Sequence, residues 1–322
     1  VMDGICLEQE NLLTLCALHH ESATLDWQLV ARVCQSRAGL EAMLAGDIPE
    51  ESAAARKSLP VLRGALTSGG LDAARSRVAG EVEAAGLAGA RMVTVLDDAY
   101  PANLRPVPNL PPFLFHRGPL QARDVRSVAV VGTRDASADG LSRAARMAEG
   151  LTQEDVVVVS GLAKGIDAAA HQATLDVGGR TVAVMGTGIA APVYPAQNRP
   201  LADRILSQGG ALVSQFWPTS SPARWTFPRR NVVTSGYTRG SVVIEASSTS
   251  GAKMQARIAA EHGKQVFLLR SLIAAQPWAA KMIDQKKAVE VTELDDVLRH
   301  LGRPEPQHPT GQQQIQLALA GV

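Results

Sequence analysis

The residues with most capacity for chemistry lie in Ser160-Gly161-Leu162-Ala163-Lys164-Gly165-Ile166-Asp167-Ala168-Ala169-Ala170-His171, directly after the run Val156-Val157-Val158-Val159. A β-branched run, then glycines and a lysine, then a small-residue helical pattern predicts a buried strand that turns tightly into a helix. Such a turn is suited to an anion, because the first N–H groups of a helix lack intrahelical partners and glycine lets a ligand approach the backbone. Lys164 adds a full positive charge. Asp167 and His171, four residues apart, share one helix face and could hold each other or a ligand, while Ile166, Ala169, Ala170 and Ala173 form the buried stripe. The plainer alternative makes Asp167 a partner of the helix dipole and His171 its surface neighbour.

A second stretch, Ser221-Pro222-Ala223-Arg224-Trp225-Thr226-Phe227-Pro228-Arg229-Arg230-Asn231, is the most basic and aromatic of the chain. Guanidinium groups pair phosphates in a fork, and Trp or Phe stacks on unpaired bases, which together make up the chemistry of single-stranded nucleic-acid binding. The alternative is a solvated basic loop anchored to the core by Trp225 and Phe227.

Other chemistries find no pattern. There is no Gly-x-x-x-x-Gly-Lys-Ser/Thr, and Gly186-Thr187-Gly188 lacks the third glycine of a dinucleotide fingerprint. His-Glu-x-x-His, paired cysteines and Gly-x-Ser-x-Gly are absent as well, so neither a metal nor a cofactor is expected.

The elements that must position these residues follow from hydrophobic periodicity. From Ser127 onward the chain alternates apolar strands with amphipathic helices. The strands are Val128–Val131, Val156–Val159, Thr181–Met185, Ala211–Ser214, Val242–Glu245 and Gln265–Leu269. The helices are Ala138–Leu151, Gly165–Val177, Arg199–Gln208 and Gly251–His262, with Arg229–Tyr237 a helical turn. This predicts an α/β fold with a doubly wound, mostly parallel sheet, whose ligands sit at the C-terminal ends of the strands. At those ends stand Gly132-Thr133-Arg134, the Ser160 stretch, Gly186-Thr187-Gly188, Ser214-Gln215 and Glu245-Ala246-Ser247-Ser248-Thr249-Ser250-Gly251. Together they read as a rim for phosphate. Upstream, short helical patterns over residues 1–89 predict a small helical domain; the strands Arg91–Leu96 and Phe113–His116, separated by the proline-rich Pro106–Pro112, join it to the main domain at 90–302. Residues 303–322 read as a linker or tail rather than a winged helix.

At 322 residues the chain is long enough for two domains, and 46% hydrophobic residues with a net charge of +1 describe a soluble globular protein without a global nucleic-acid signal. Any such binding must come from a local patch. No apolar run approaches the ~18 residues of a spanning helix, and the first residues lack the pattern of a signal peptide. Cys6, Cys16 and Cys34 lack metal-ligand spacing and read as reduced thiols, which fits the cytoplasm.

Several ordered motifs resemble the DNA-processing protein A (DprA, or Smf) family. They are Tyr100-Pro101-Ala102-Asn103-Leu104, Pro112-Phe113-Leu114-Phe115-His116-Arg117-Gly118, and Val131-Gly132-Thr133-Arg134 with Ser137 and Gly140. The Ser160–His171 stretch, Gly188, Tyr194-Pro195, Asn198, Phe227-Pro228-Arg229-Arg230-Asn231 and Glu245-Ala246 with Ser250-Gly251 follow. The resemblance implies an extended Rossmann-like domain that binds single-stranded DNA without catalysis and passes it to RecA in transformation or recombination, usually as a homodimer, with a sterile-alpha-motif-like domain before it. It implies phosphate contacts by Arg134, Lys164, Arg229 and Arg230, in a pocket shaped by Asn231, Gly132, Gly161 and Gly165. Ser160, Gly188, Arg224, Phe227, Ser250 and Gly251 complete the expected binding set. The chain departs from the family at Gln215, where a glutamate is usual, and also at Ala190, at Val232, at Leu269-Arg270-Ser271 and in Ala252-Lys253-Met254-Gln255.

Those departures leave a second reading open. The wider superfamily includes sensors of nucleotide-derived ligands and enzymes that cleave nucleotide N-glycosidic bonds, with a role in phage defence among the possibilities, and there Glu245 would act as general acid or base.

Overall fold

A computed structural model describes residues 4–302 of the chain; the expected tail at 303–322 lies outside the described residues. The N-terminal part is helical: α1 (Leu7–Ala17), a two-stranded ribbon of β1 (His19–His20) and β2 (Ala23–Thr24), then α2 (Trp27–Val33), α3 (Arg37–Leu44), α4 (Ala53–Thr67) and α5 (Gly70–Leu87). Polar caps set three of the starts. Asp26 accepts from the N–H groups of Gln28 and Leu29, Ser36 from Gly39 and Ser52 from Ala55. Pro60 lies within α4.

The rest is built on one nine-stranded sheet. In chain order come β3 (Arg91–Thr94), β4 (Phe113–Arg117), β5 (Ser127–Val131), α6 (Ala138–Gln153), β6 (Val157–Ser160), α7 (Ile166–Asp176), β7 (Thr181–Val184), α8 (Arg199–Ser207) and β8 (Ala211–Ser214). Then follow α9 (Thr226–Tyr237), β9 (Gly240–Val243), α10 (Gly251–Glu261), β10 (Gln265–Leu269), α11 (Arg270–Ala275), α12 (Pro277–Asp284), β11 (Val289–Val291) and α13 (Leu294–Leu301). The order across the sheet is β11-β10-β9-β5-β6-β7-β8-β4-β3. All pairs from β11 to β8 are parallel, whereas β4 pairs antiparallel with β8 and with β3. This is the expected Rossmann-like α/β architecture. Its central strands are apolar runs such as Ser127–Val131 and Thr181–Val184, buried along their whole length because helices cover both faces.

The chain winds outward from β5 to β8 and then returns through α9 to β9 on the other side of β5. Such a reversal opens a crevice beyond the C-terminal ends of β5 and β9. On one side of the sheet the core is continuous with the N-terminal helices, joining Leu12, Leu29 and Val78 to Phe113, Val213 and Trp217. Trp27 of α2 packs its ring 5.0 Å from Phe113 and 5.6 Å from Trp217.

The opposite, N-terminal edge of the sheet is tied by buried charge. Arg180 donates from Nε to Asp124 at 2.6 Å and from Nη2 to the same carboxylate at 2.8 Å, and Tyr237 donates its hydroxyl to it at 2.8 Å. The remaining guanidinium donors reach the carbonyls of Pro119 and Gly209, so the pair is fully solvated by protein.

Candidate functional site

A cleft of about 350 Å3 occupies the crevice predicted by the strand order. The turn after β5 supplies Gly132, Thr133 and Arg134, the turn after β6 supplies Gly161 and Ala163, α9 supplies Phe227, Arg230, Asn231 and Thr234, and the start of α10 supplies Ser250, Gly251, Met254 and Gln255.

The turn after β6 differs from its expected role in one decisive respect. Asp167, buried in the first turn of α7, folds its carboxylate back and accepts from the Gly161 N–H at 3.1 Å. The N–H groups of Ala163 and Gly132 also stabilise its charge. The anion of this glycine turn is therefore the protein's own side chain, and a ligand phosphate cannot count on these donors. Burial nevertheless dominates, so the Asp167 carboxyl is held above its ordinary range, with the Arg230 charge pulling the other way.

His171 is not the partner of Asp167. It is wholly buried under the sheet, with Nδ1 2.7 Å from Thr181 Oγ1. That hydroxyl gives its hydrogen to the Val158 carbonyl, so Nδ1 must be the donor to it and Nε2 carries the lone pair. Nε2 has no partner, and burial, aided by the Arg230 charge, brings the imidazole pKa down to about 3. Neither a surface role nor an ion pair with Asp167 survives.

Arg230 reaches in from α9. Its guanidinium lies against the backbone of Gly161, where a Cβ would overlap it, and Nη1 donates to the Val184 carbonyl at 3.1 Å. Its Nε has no partner. Burial lowers its pKa; Asp167 counters that, and the nearby charge of Arg134 adds to it. Arg134 itself is exposed at the mouth with its guanidinium 5.2 Å from the Phe227 ring centre, a cation–π stack. Phe227 also packs 5.5 Å from Tyr194 and over Gly186, where a Cβ would come within 2.8 Å of the ring. Two like charges facing one cleft are best relieved by an anion between them.

The other expected binding residues divide. Gly132, Asn231, Ser250 and Gly251 line the cleft; Asn231 Nδ2 is 3.5 Å from the Gly251 carbonyl and Ser250 caps α10. Gly165 stands at the helix start with φ +82°, against the carbonyls of Thr133 and Arg134 at 2.5 Å from a Cβ position, so a side chain is barred there.

Five expected positions stand outside the cleft lining. Ser160 is buried and donates inward to the Val130 carbonyl at 2.7 Å, so its hydroxyl is unavailable to phosphate. Gly188 is buried against the carbonyls of Trp217 and Pro218, outside the cleft lining. Lys164 faces an adjoining groove between α6 and α7, which shares Arg134 with the cleft, and stands 3.5 Å from Asp135, both exposed. Arg229 turns to the other side of α9, 5.8 Å over the Trp225 ring, because consecutive helix residues diverge by about 100°. Arg224 is exposed and lies outside the cleft lining.

Glu245 also stands outside the cleft lining. Its carboxylate accepts from the Ser137 hydroxyl at 2.8 Å and approaches the Ser137 N–H at 3.3 Å, fastening the start of α6. It lines a groove with Ser137, Arg143 and Ser271 rather than the cleft, so it is not placed to act on a ligand bound there. Sequence reasoning missed Asp167 as the occupant of the turn, as well as Thr234 and Gln255 as cleft wall. Helical phase was a signal for Thr234, since 230, 231 and 234 fall on one face of α9.

The family model for DNA recombination-mediator protein A matches residues 91–302. DNA processing protein DprA of Streptococcus pneumoniae is 38% identical over 206 residues, covering 64% of this chain and 72% of its own. Protein Smf of Escherichia coli is 38% identical over 207 residues, covering 63% of this chain and 54% of its own. The X-ray structure of the S. pneumoniae protein superposes with a TM-score of 0.71 at 29% identity, covering 94% of this chain and 100% of that one. A structure of DNA processing protein A from Helicobacter pylori, described for its single-stranded DNA binding mode, shares the fold with a TM-score of 0.58 at 20% identity, over 66% of this chain and 95% of that one.

Proposed function

Since the chain belongs to the DprA/Smf family of DNA recombination-mediator proteins, we propose that it binds single-stranded DNA at the β5–β9 cleft and acts in DNA processing. The observation that carries the reading is the convergence of Arg134 and Arg230, whose charges repel each other, beside the Phe227 ring. Phosphate relieves the repulsion and an unpaired base has an aromatic face to stack on, whereas paired bases in a duplex expose no such face. A cleft of about 350 Å3 takes one nucleotide, so a strand would thread through it and continue over the surface on both sides.

In this reading the unit 90–302 holds the strand, the helical unit 1–89 flanks it, and the bound strand passes to RecA, with the protein working as a homodimer in the cytoplasm. The contacts are Arg134, Arg230, Phe227 and Asn231, with Gly132, Gly161, Gly165, Ser250 and Gly251 keeping the walls low.

The test is fluorescence anisotropy of a labelled oligo-dT at increasing salt, with a duplex as competitor. Binding should weaken on a log–log slope of roughly −0.7 per phosphate contacted, and duplex should compete poorly. Salt-independent or undetectable binding would refute the proposal. A RecA strand-exchange assay on strand pre-coated with single-strand-binding protein checks the hand-over.

A further inference from the structure

The face of α9 opposite the cleft borders a second groove, of about 310 Å3, where the N-terminal helices meet the sheet. Trp27 and Arg77 line it from α2 and α5, Gln215 and Trp217 from the segment after β8, and Trp225 and Arg229 from the entry into α9. Its composition is unusual for a mere seam. Trp225 is 58% exposed, Arg229 lies 5.8 Å over its ring, and Arg77 lies 5.4 Å over the ring of Trp217. Both arginines are exposed, and neither forms an ion pair among the described residues. The nearest acidic side chain along α5, Glu81, spends both carboxylate oxygens on Thr219.

Gln215 gives the groove its polarity. It is 8% exposed and its buried Nε2 has no hydrogen-bond partner among the described residues. An unmet buried donor is destabilising, so the site is open to a ligand acceptor. A carboxylamide offers a donor and an acceptor side by side, which is the complement of a nucleobase edge. The amide brings no negative charge into a groove that Arg77 and Arg229 also line.

We propose that this groove is a second nucleotide site, distinct from the cleft, in which a base stacks against Trp225 and meets the Gln215 amide while Arg77 and Arg229 hold its phosphate. The ligand chemistry is a nucleotide, either free or as a residue of a strand emerging from the cleft across α9. It goes beyond the cleft reading: a free nucleotide would bind independently of the cleft, whereas a strand would rest on that reading.

Tryptophan fluorescence is titrated with dTMP, dAMP and a ten-nucleotide oligo-dT, using wild type, Gln215→Glu, Arg77→Ala and, as a cleft variant, Arg134→Ala. Quenching by nucleotide is expected in wild type and in Arg134→Ala. Gln215→Glu, which keeps shape and adds a negative charge, should weaken it by about tenfold or more, and Arg77→Ala by a similar factor, the scale of one charge-assisted contact. Circular dichroism checks that both variants fold. Saturation by mononucleotide identifies a free ligand; quenching by the oligomer alone identifies a strand. Absence of quenching with every probe, or equal quenching in Gln215→Glu and wild type, overturns the proposal. Loss of oligomer binding in the anisotropy assay with mononucleotide quenching retained would instead sink the cleft reading and leave this one standing.

Discussion

Gly161 and Arg230 are matched: the guanidinium lies against a backbone that has no side chain, in the space a Cβ would fill. This fixes the direction of the one buried charge that lines the cleft from α9. Gly161→Ala should therefore push Arg230 out of place. Overpacking of this kind costs ~1–3 kcal/mol, and oligonucleotide affinity should fall by about tenfold or more as the charge moves. Urea melts and anisotropy on the same preparation check both effects. A variant that loses stability and keeps full affinity would show that Arg230 serves the fold alone.

Arg134 and Phe227 should separate phosphate from base. Arg134→Ala removes an exposed charge, so it should lower affinity for all sequences alike and reduce the salt slope by roughly 0.7. Phe227→Ala should cost ~1–3 kcal/mol of binding while leaving the salt slope near its original value, since stacking releases no counterions. Lys164→Ala, in the neighbouring groove and facing Asp135, should change affinity far less than either. Anisotropy isotherms at several salt concentrations decide among these.

The sheet was legible in the sequence because its strands are short apolar runs between glycine turns, and the crevice followed from their order. Ala211–Ser214 and Gln265–Leu269 fall where periodicity placed them. The site was less legible, for a physical reason. Gly161 and Lys164 advertise an anion site, but whether Asp167 bends back to fill it depends on a backbone path that no spacing rule encodes. Ser160 and Gly188 likewise have residue types suited to phosphate, and only the inward direction of the Ser160 hydroxyl and the carbonyls packed on Gly188 disqualify them. The short elements α11, α12, β11 and α13 were invisible for a different reason: each is three to eight residues long and depends on packing against the sheet edge.

Asp124 should be a stability residue with no direct part in binding. It sits at the N-terminal edge of the sheet, away from the cleft, and answers both Arg180 and Tyr237. Asp124→Asn preserves shape and strands the Arg180 charge, whose side chain is 2% exposed, so unfolding should become easier by ~3–5 kcal/mol. Affinity of the folded fraction for oligo-dT should stay unchanged. Denaturant titration and anisotropy below the melting range test the two halves of this expectation.

His171 sets an acid limit on the fold. Its pKa is about 3 in the native protein and near 6.5 when unfolded, so between these values the unfolded chain binds the extra proton. Stability from this group is complete above about pH 6.5 and is lost as the pH falls toward 3, at ~1.4 kcal/mol per pH unit once the unfolded imidazole is protonated. By pH 5 the loss should be about 2 kcal/mol. His262, brought to about 4 by burial with help from Lys264, adds in the same direction but is less buried and should contribute less. His171→Leu removes the titration while keeping the apolar packing under the sheet. Urea melts at pH 7 and pH 5 should therefore differ by about 2 kcal/mol less in the variant than in the wild type. Equal pH dependence in both would mean that the imidazole is hydrated in the native state, contrary to its complete burial beside Thr181.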